Sequence, residues 1–129
     1  QNWKIYSRNN NMPPQYIGDK AEVENSMISE GSTINGKVDF SVIFAGATVE
    51  EGATVNYSII MPGTVIKSGA VVEYSIVGED CVVHENAKIG LSPESVENRD
   101  EWGIAVVGHN VDISEGAEVL PKQIISKNM

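Results

Sequence analysis

Between Ile43 and Ile89 the sequence reads IFAGATVEEGATVNYSI, then IMPGTVIKSGAVVEYSI, then VGEDCVVHENAKI, three segments that align without a gap. Ile43, Val49 and Val55 form one aliphatic triplet, Ile60, Ile66 and Val72 the next, and Val77, Val83 and Ile89 the third. The steps are six, six and then five residues, so each triplet is a seventeen-residue unit. Three residues after each leading aliphatic come Gly46, Gly52, Gly63, Gly69, Asp80 and Asn86, residue types that enter positive φ cheaply. One residue further on stand Ala47, Ala53, Thr64, Ala70, Cys81 and Ala87, all small. A turn every six residues with one aliphatic per turn fits neither a helix nor a simple meander. It describes a three-sided solenoid, with short parallel strands stacked about 4.8 Å apart and the aliphatics pointing inward.

The pattern extends both ways. Ile28, Ile34 and Val38 form an earlier coil two residues shorter, with Gly31 at a corner, and Ile17 and Val23 precede it. After Gly90 the register lapses and returns with Val107, Ile113, Val119 and Ile125, with Asn110 and Gly116 at corners. The expectation is an all-β fold of about five coils with one extruded loop, Leu91 to Trp102. Domain boundaries follow: 1–16 an extended connector, marked by Asn9-Asn10-Asn11 and Pro13-Pro14, and 17–129 the solenoid. Parallel crossovers are ordinarily right-handed. Solenoids built from hexapeptide repeats are the left-handed exception, and this chain resembles them, so a left-handed parallel β-helix is expected.

Four copies of a second phrase support the register: Val23-Glu24-Asn25-Ser26, Val38-Asp39-Phe40-Ser41, Val55-Asn56-Tyr57-Ser58 and Val72-Glu73-Tyr74-Ser75. Stacked coils would place the four serines in a ladder and Phe40, Tyr57 and Tyr74 in another beside it. Such like-on-like stacks hold register rather than catalyse.

Composition narrows the function. A hydrophobic fraction of 41% with only 6% aromatic supports an aliphatic core. The formal charge of −9 argues against nucleic acid, which requires clustered cations. There is no apolar run long enough for a membrane helix and no signal segment. The single cysteine, Cys81, forms no internal disulfide and fits a reducing cytoplasm. It reads as a buried structural thiol. His84 and His109 are the strongest acid–base candidates, each beside an inward position or a corner and therefore facing solvent. Asn56-Tyr57-Ser58 matches a glycosylation acceptor but lies inside the repeat. The expected catalytic, cofactor and metal residues in this chain are none. The loop from Leu91 to Trp102, with Glu94, Glu97, Arg99, Asp100 and Glu101, is either a solvated excursion or an interface.

At the N-terminus, Trp3-Lys4-Ile5-Tyr6-Ser7 followed by Pro13-Pro14 resembles the linker of glucose-1-phosphate adenylyltransferases. Val23 to Ile43, the strand Gly103-Ile104-Ala105-Val106-Val107-Gly108 and the ending Pro121-Lys122-Gln123-Ile124-Ile125 are also similar to that family. The resemblance implies a C-terminal, non-catalytic oligomerisation and regulatory domain. Its parent would make ADP-glucose and pyrophosphate from ATP, with Mg, and glucose 1-phosphate in glycogen biosynthesis. The glycine-rich nucleotide loop of that family lies in the other domain, and the opening at Gln1 rather than Met fits a piece of a longer chain. Expected partners are the chain's own N-terminal catalytic domain and the subunits of a homo- or hetero-tetramer. Relatives place a basic effector-binding residue where this sequence has Gly108-His109-Asn110, so weak or absent sugar-phosphate activation is expected, with His109, Asn110 and Lys122 as the candidate effector residues. Trp3, Ile5, Tyr6, Ile124 and Ile125 are candidate subunit or domain contacts. Three other readings stay open: a free-standing acyltransferase using His84 or His109 as base, the same domain of another sugar nucleotidyltransferase, and a purely structural subunit.

Overall fold

The computed structural model describes residues 16–18, 21–95 and 102–128. All regular structure apart from one short 3-10 turn is strand, and the strands form three parallel six-stranded sheets. Sheet A stacks Tyr16–Ile17, Thr33–Ile34, Thr48–Val49, Val65–Ile66, Val82–Val83 and Asp112–Ile113. Sheet B stacks Glu22–Glu24, Lys37–Asp39, Thr54–Asn56, Val71–Glu73, Lys88–Ile89 and Glu118–Val119. Sheet C stacks Met27–Ile28, Val42–Ile43, Ile59–Ile60, Ser75–Val77, Ala105–Val107 and Ile124–Ile125. The chain visits A, B and C in turn, so each pass is one coil and six coils result. The expectation of about five is thus corrected to six. Ile17 and Val23 with Ile28 make a coil of their own at the start, which left Ile125 to close a further one at the end.

Every inward aliphatic pairs with its counterpart one coil away: Ile17 with Ile34, Val49, Ile66, Val83 and Ile113 in sheet A, and likewise in B and C. The core is the column these residues fill, with Ile34, Ile43, Ile60, Ile66 and Ile89 fully buried. At the open first coil Ile17 is 43% exposed, because no described coil lies beneath it. The glycine, aspartate and asparagine corners all adopt positive φ, from 54° at Asp80 to 85° at Gly52.

One corner class contradicts simple propensity. Asn25, Phe40, Tyr57 and Tyr74 hold φ of 48–50°, where bulky side chains are rare. Two ladders compensate. Phe40 stacks on Tyr57 with centroids 4.9 Å apart, and Tyr57 on Tyr74 at 4.7 Å. Beside them each serine hydroxyl donates to the carbonyl two residues back, Ser41 to Asp39 and Ser58 to Asn56, both 2.8 Å. The same oxygen accepts the amide of the serine one coil up. Both ladders stand as the repeated phrase implied.

The second coil is short because Gly36 makes its corner. A Cβ there would drive into the Ala53 carbonyl oxygen and lie 2.6 Å from that of Glu50. After Ile89 the chain leaves the solenoid through Gly90, which has φ of 77°, forms a 3-10 turn at Pro93–Ser95 and rejoins sheet C at Ala105.

The outer faces of the sheets differ. Sheet A carries Glu50, Lys67, His84 and Asp112, and sheet B carries Glu22, Lys37, Lys88 and Glu118. On sheet C the outward column reads Met27, Val42, Ile59, Ile76, Val106 and Ile124, each paired in register with the next.

Candidate functional site

The candidate residues fall at two corners of the last coils. His109 and Asn110 turn the chain from sheet C to sheet A, with Asn110 at φ 56° and its amide donating to the Glu79 carbonyl, 2.8 Å. His109 is exposed, and its Nδ1 accepts the Glu79 backbone N–H at 2.8 Å. That bond requires an unprotonated Nδ1, so in the neutral ring the proton sits on Nε2. Lys122 turns the chain from sheet B to sheet C at φ 71°, its amide donating to Gly103, 3.2 Å. The strand Ile124–Ile125 separates these corners. The three residues expected at one effector site therefore sit at opposite ends of a sheet C strand, and the structure brings only His109 and Asn110 together.

Lys122 occupies a corner of its own kind. In four earlier coils the B-to-C corner is Asn25, Phe40, Tyr57 or Tyr74 followed by serine. In the last coil Pro121-Lys122-Gln123 replaces that phrase, and the Gln123 side chain accepts the Leu120 amide at 2.6 Å. The Pro121-Lys122 pair was the sequence signal for this altered corner, since proline opens a turn readily.

His84 lies on the outer face of sheet A, with Nε2 3.8 Å from Asp112 Oδ2. A nearby carboxylate orients the ring, but the pair is on an open surface, not in a cleft. His84 and His109 belong to different edges of the solenoid. Among the described residues no group of three His, Cys, Asp or Glu side chains is placed to hold a metal ion.

Cys81 is fully buried in the small-residue column expected for it. Its amide donates to Thr64 Oγ1 at 3.1 Å, and its thiol donates to the Gly108 carbonyl. Burial raises the thiol above its usual 9.0, against a smaller downward pull from the Val111 and Asn110 amides. It is a neutral packing group in contact with the chain just before His109.

A feature the sequence reading did not connect is the cap on the aromatic ladder. Trp102, on the return of the excursion, sets its ring edge-on to Tyr74 at 81° with centroids 5.6 Å apart. Its Nε1 donates to the Leu91 carbonyl, 2.7 Å, which ties the return limb to the exit limb. Partial burial in this stack, and then the acidic groups of Tyr57, Glu94 and Glu73, raise the Tyr74 hydroxyl above its usual 10.0. The signal was the lone aromatic at the loop's end.

Of the expected contact residues, Trp3, Ile5 and Tyr6 lie outside the described residues. Ile124 points outward and is 75% exposed, while Ile125 turns inward against the core.

Residues 13–107 match the family model described as GlmU-like, C-terminal hexapeptide. The chain is 51% identical over 123 residues to the glucose-1-phosphate adenylyltransferase of Bacillus mycoides, covering 95% of this chain and 25% of that protein. The enzyme of the same name from Bacillus cereus gives the same values, and that of Bacillus anthracis is 49% identical over the same span. The chain spans about a quarter of the length of these curated relatives. Among solved structures, the acetyltransferase domain of PglB from Neisseria gonorrhoeae in complex with acetyl coenzyme A superposes with a TM-score of 0.57. The match covers 86% of this chain and 53% of that one at 18% identity, a likeness of fold alone.

Proposed function

The chain belongs to the GlmU-like C-terminal hexapeptide family, and from that premise we propose that it is the non-catalytic oligomerisation and regulatory domain of a glucose-1-phosphate adenylyltransferase. The solenoid of this family is the left-handed parallel β-helix. The observation that carries the proposal is the 51% identity maintained over 95% of the chain to enzymes of that one name. On this reading the complete polypeptide joins ATP, with Mg, to glucose 1-phosphate, releasing pyrophosphate and ADP-glucose for glycogen synthesis in the cytoplasm. This chain contributes scaffold and contacts to a tetramer, and the reacting groups lie in the preceding domain.

The acyltransferase alternative draws on shared fold, and fold does not carry function. The regulatory part rests on the corner residues. A phosphate ester is held by converging cationic donors. Asn110 is neutral, the His109 ring is engaged with Glu79, and Lys122 lies a strand away. A weak response to sugar phosphates follows.

The test is pyrophosphate release by the full-length polypeptide with ATP, Mg and glucose 1-phosphate, with GTP and mannose 1-phosphate in parallel. ADP-glucose formation supports the reading. Turnover of the GTP pair alone, or acyl-CoA binding by the 129-residue chain, overturns it. Strong activation by fructose 1,6-bisphosphate or 3-phosphoglycerate, abolished by His109→Ala or Lys122→Ala, overturns the regulatory part.

A further inference from the structure

The three outer faces of the solenoid are chemically unequal, and the inequality follows the sheets. Sheets A and B present carboxylates and ammonium groups at most outward positions, as a solvated surface should. Sheet C presents Met27, Val42, Ile59, Ile76, Val106 and Ile124 in one unbroken outward column. On the other side of its inward residues stand Phe44 and Met61 among glycine and serine, and none of these outward positions is charged. One edge of this face is the aromatic ladder, where Phe40 and Tyr57 are each 49% exposed. In a chain of formal charge −9, a chargeless side of this height is a surface built to be covered.

We propose that the outer face of sheet C docks the domain-sized remainder of the polypeptide that precedes this chain. The inference rests on the reading above that such a domain exists. Two observations choose this occupant over a second copy. Six strands about 4.8 Å apart, each presenting about four residues at roughly 3.3 Å, give a face of roughly 350 Å². Doubled across an interface, this is about 700 Å². That is within the span of contacts between tethered domains, roughly 600–1,500 Å². It is well short of the roughly 1,600 Å² of a stable association between free proteins. The second observation is charge: two copies would each bring a charge of −9, with Glu30, Glu79 and Asp80 along the C-to-A edge of the face. Like charges facing one another at that rim oppose pairing of two copies. A tethered partner needs less area because the linker holds it at high effective concentration. The chain spans only about a quarter of its relatives' length, which leaves a domain-sized partner in the same polypeptide.

The experiment compares thiol labelling at Ile59→Cys in the 129-residue chain and in the full-length polypeptide, with Thr48→Cys on sheet A as control. Native Cys81 is buried and stays silent. Docking predicts at least tenfold slower labelling at position 59 in the full-length polypeptide, equal rates at position 48 in both, and recovery of the fast rate on adding Ile76→Lys. Equal rates at position 59 overturn the proposal. So does a concentration-dependent rate in the 129-residue chain accompanied by a dimer mass, which would assign the face to a second copy. The readout requires no turnover, so a full-length polypeptide that fails to make ADP-glucose would refute the functional reading while leaving this test intact. Circular dichroism of the short chain carrying Ile76→Lys verifies that an outward substitution leaves the fold in place.

Discussion

The backbone N–H of Ser58 donates to the hydroxyl oxygen of Ser41, 3.1 Å away across one coil, and the Ser58 hydroxyl receives the Ser75 amide in the same way at 3.2 Å. Both serines are buried, so each hydroxyl satisfies a backbone donor that water cannot reach. Ser58→Ala strands the Ser75 amide at a cost of about 1–3 kcal/mol. Ser26→Ala, at the more open first coil, should cost less. Urea unfolding of the two variants checks the order, and equal losses would mean the ladder is not what satisfies these amides.

The corners separate two kinds of glycine. At Gly36 an added Cβ meets backbone oxygens of Ala53 and Glu50, neither of which can yield without moving the next coil. At Gly46 the space is open and only the φ of 72° opposes a side chain. Gly46→Ala should therefore cost about 1–2 kcal/mol, and Gly36→Ala clearly more. Thermal midpoints of the two variants measure the difference.

Tyr57 is held at φ 50° with a ring stacked on each side. Tyr57→Ala loses both stacks, roughly 0.5–1.5 kcal/mol each, and keeps the backbone strain. Tyr57→Gly loses the same stacks and relieves the strain. Alanine should thus be the more damaging replacement, by about 1 kcal/mol, the reverse of their order within an ordinary strand. Equilibrium unfolding of both variants decides it.

The fold was largely legible because a solenoid writes its geometry into a period. Ile43, Ile60 and Val77 had to share a face once their spacing was seen, and Gly46, Gly63 and Asp80 had to turn beside them. Less legible was the backbone at Phe40, Tyr57 and Tyr74. Their types argue against positive φ, and stacking between coils, absent from any local stretch, overrides that preference. The candidate effector residues were read as one group because His109 and Lys122 stand near each other in sequence. The solenoid places thirteen residues of separation on different corners, since Lys122 precedes the last sheet C strand and His109 follows the one before. Trp102 was harder still, because its partner Tyr74 lies across an excursion whose path the repeat does not dictate.

Cys81 supplies a pH dependence. Its folded pKa is raised above 9.0 by burial, so the folded chain favours the neutral thiol more than the unfolded chain does. The associated stability is complete below the unfolded pKa and is lost as pH rises through it toward the folded value. Between pH 8 and 10 the wild-type chain should lose stability more steeply than Cys81→Ala, measured by denaturant unfolding. In the same range native Cys81 should resist thiol reagents until the chain unfolds. Rapid labelling of the native chain would contradict the buried position.

The most direct test of the central claim, that this β-helix is the non-catalytic module of a nucleotidyltransferase, is to read the DNA upstream of the codon for Gln1. The account predicts an open frame of a few hundred codons encoding a Gly-Gly-x-Gly-Thr-Arg nucleotide loop. A start codon immediately before Gln1 would contradict it and turn attention to acyl-CoA binding by the solenoid itself.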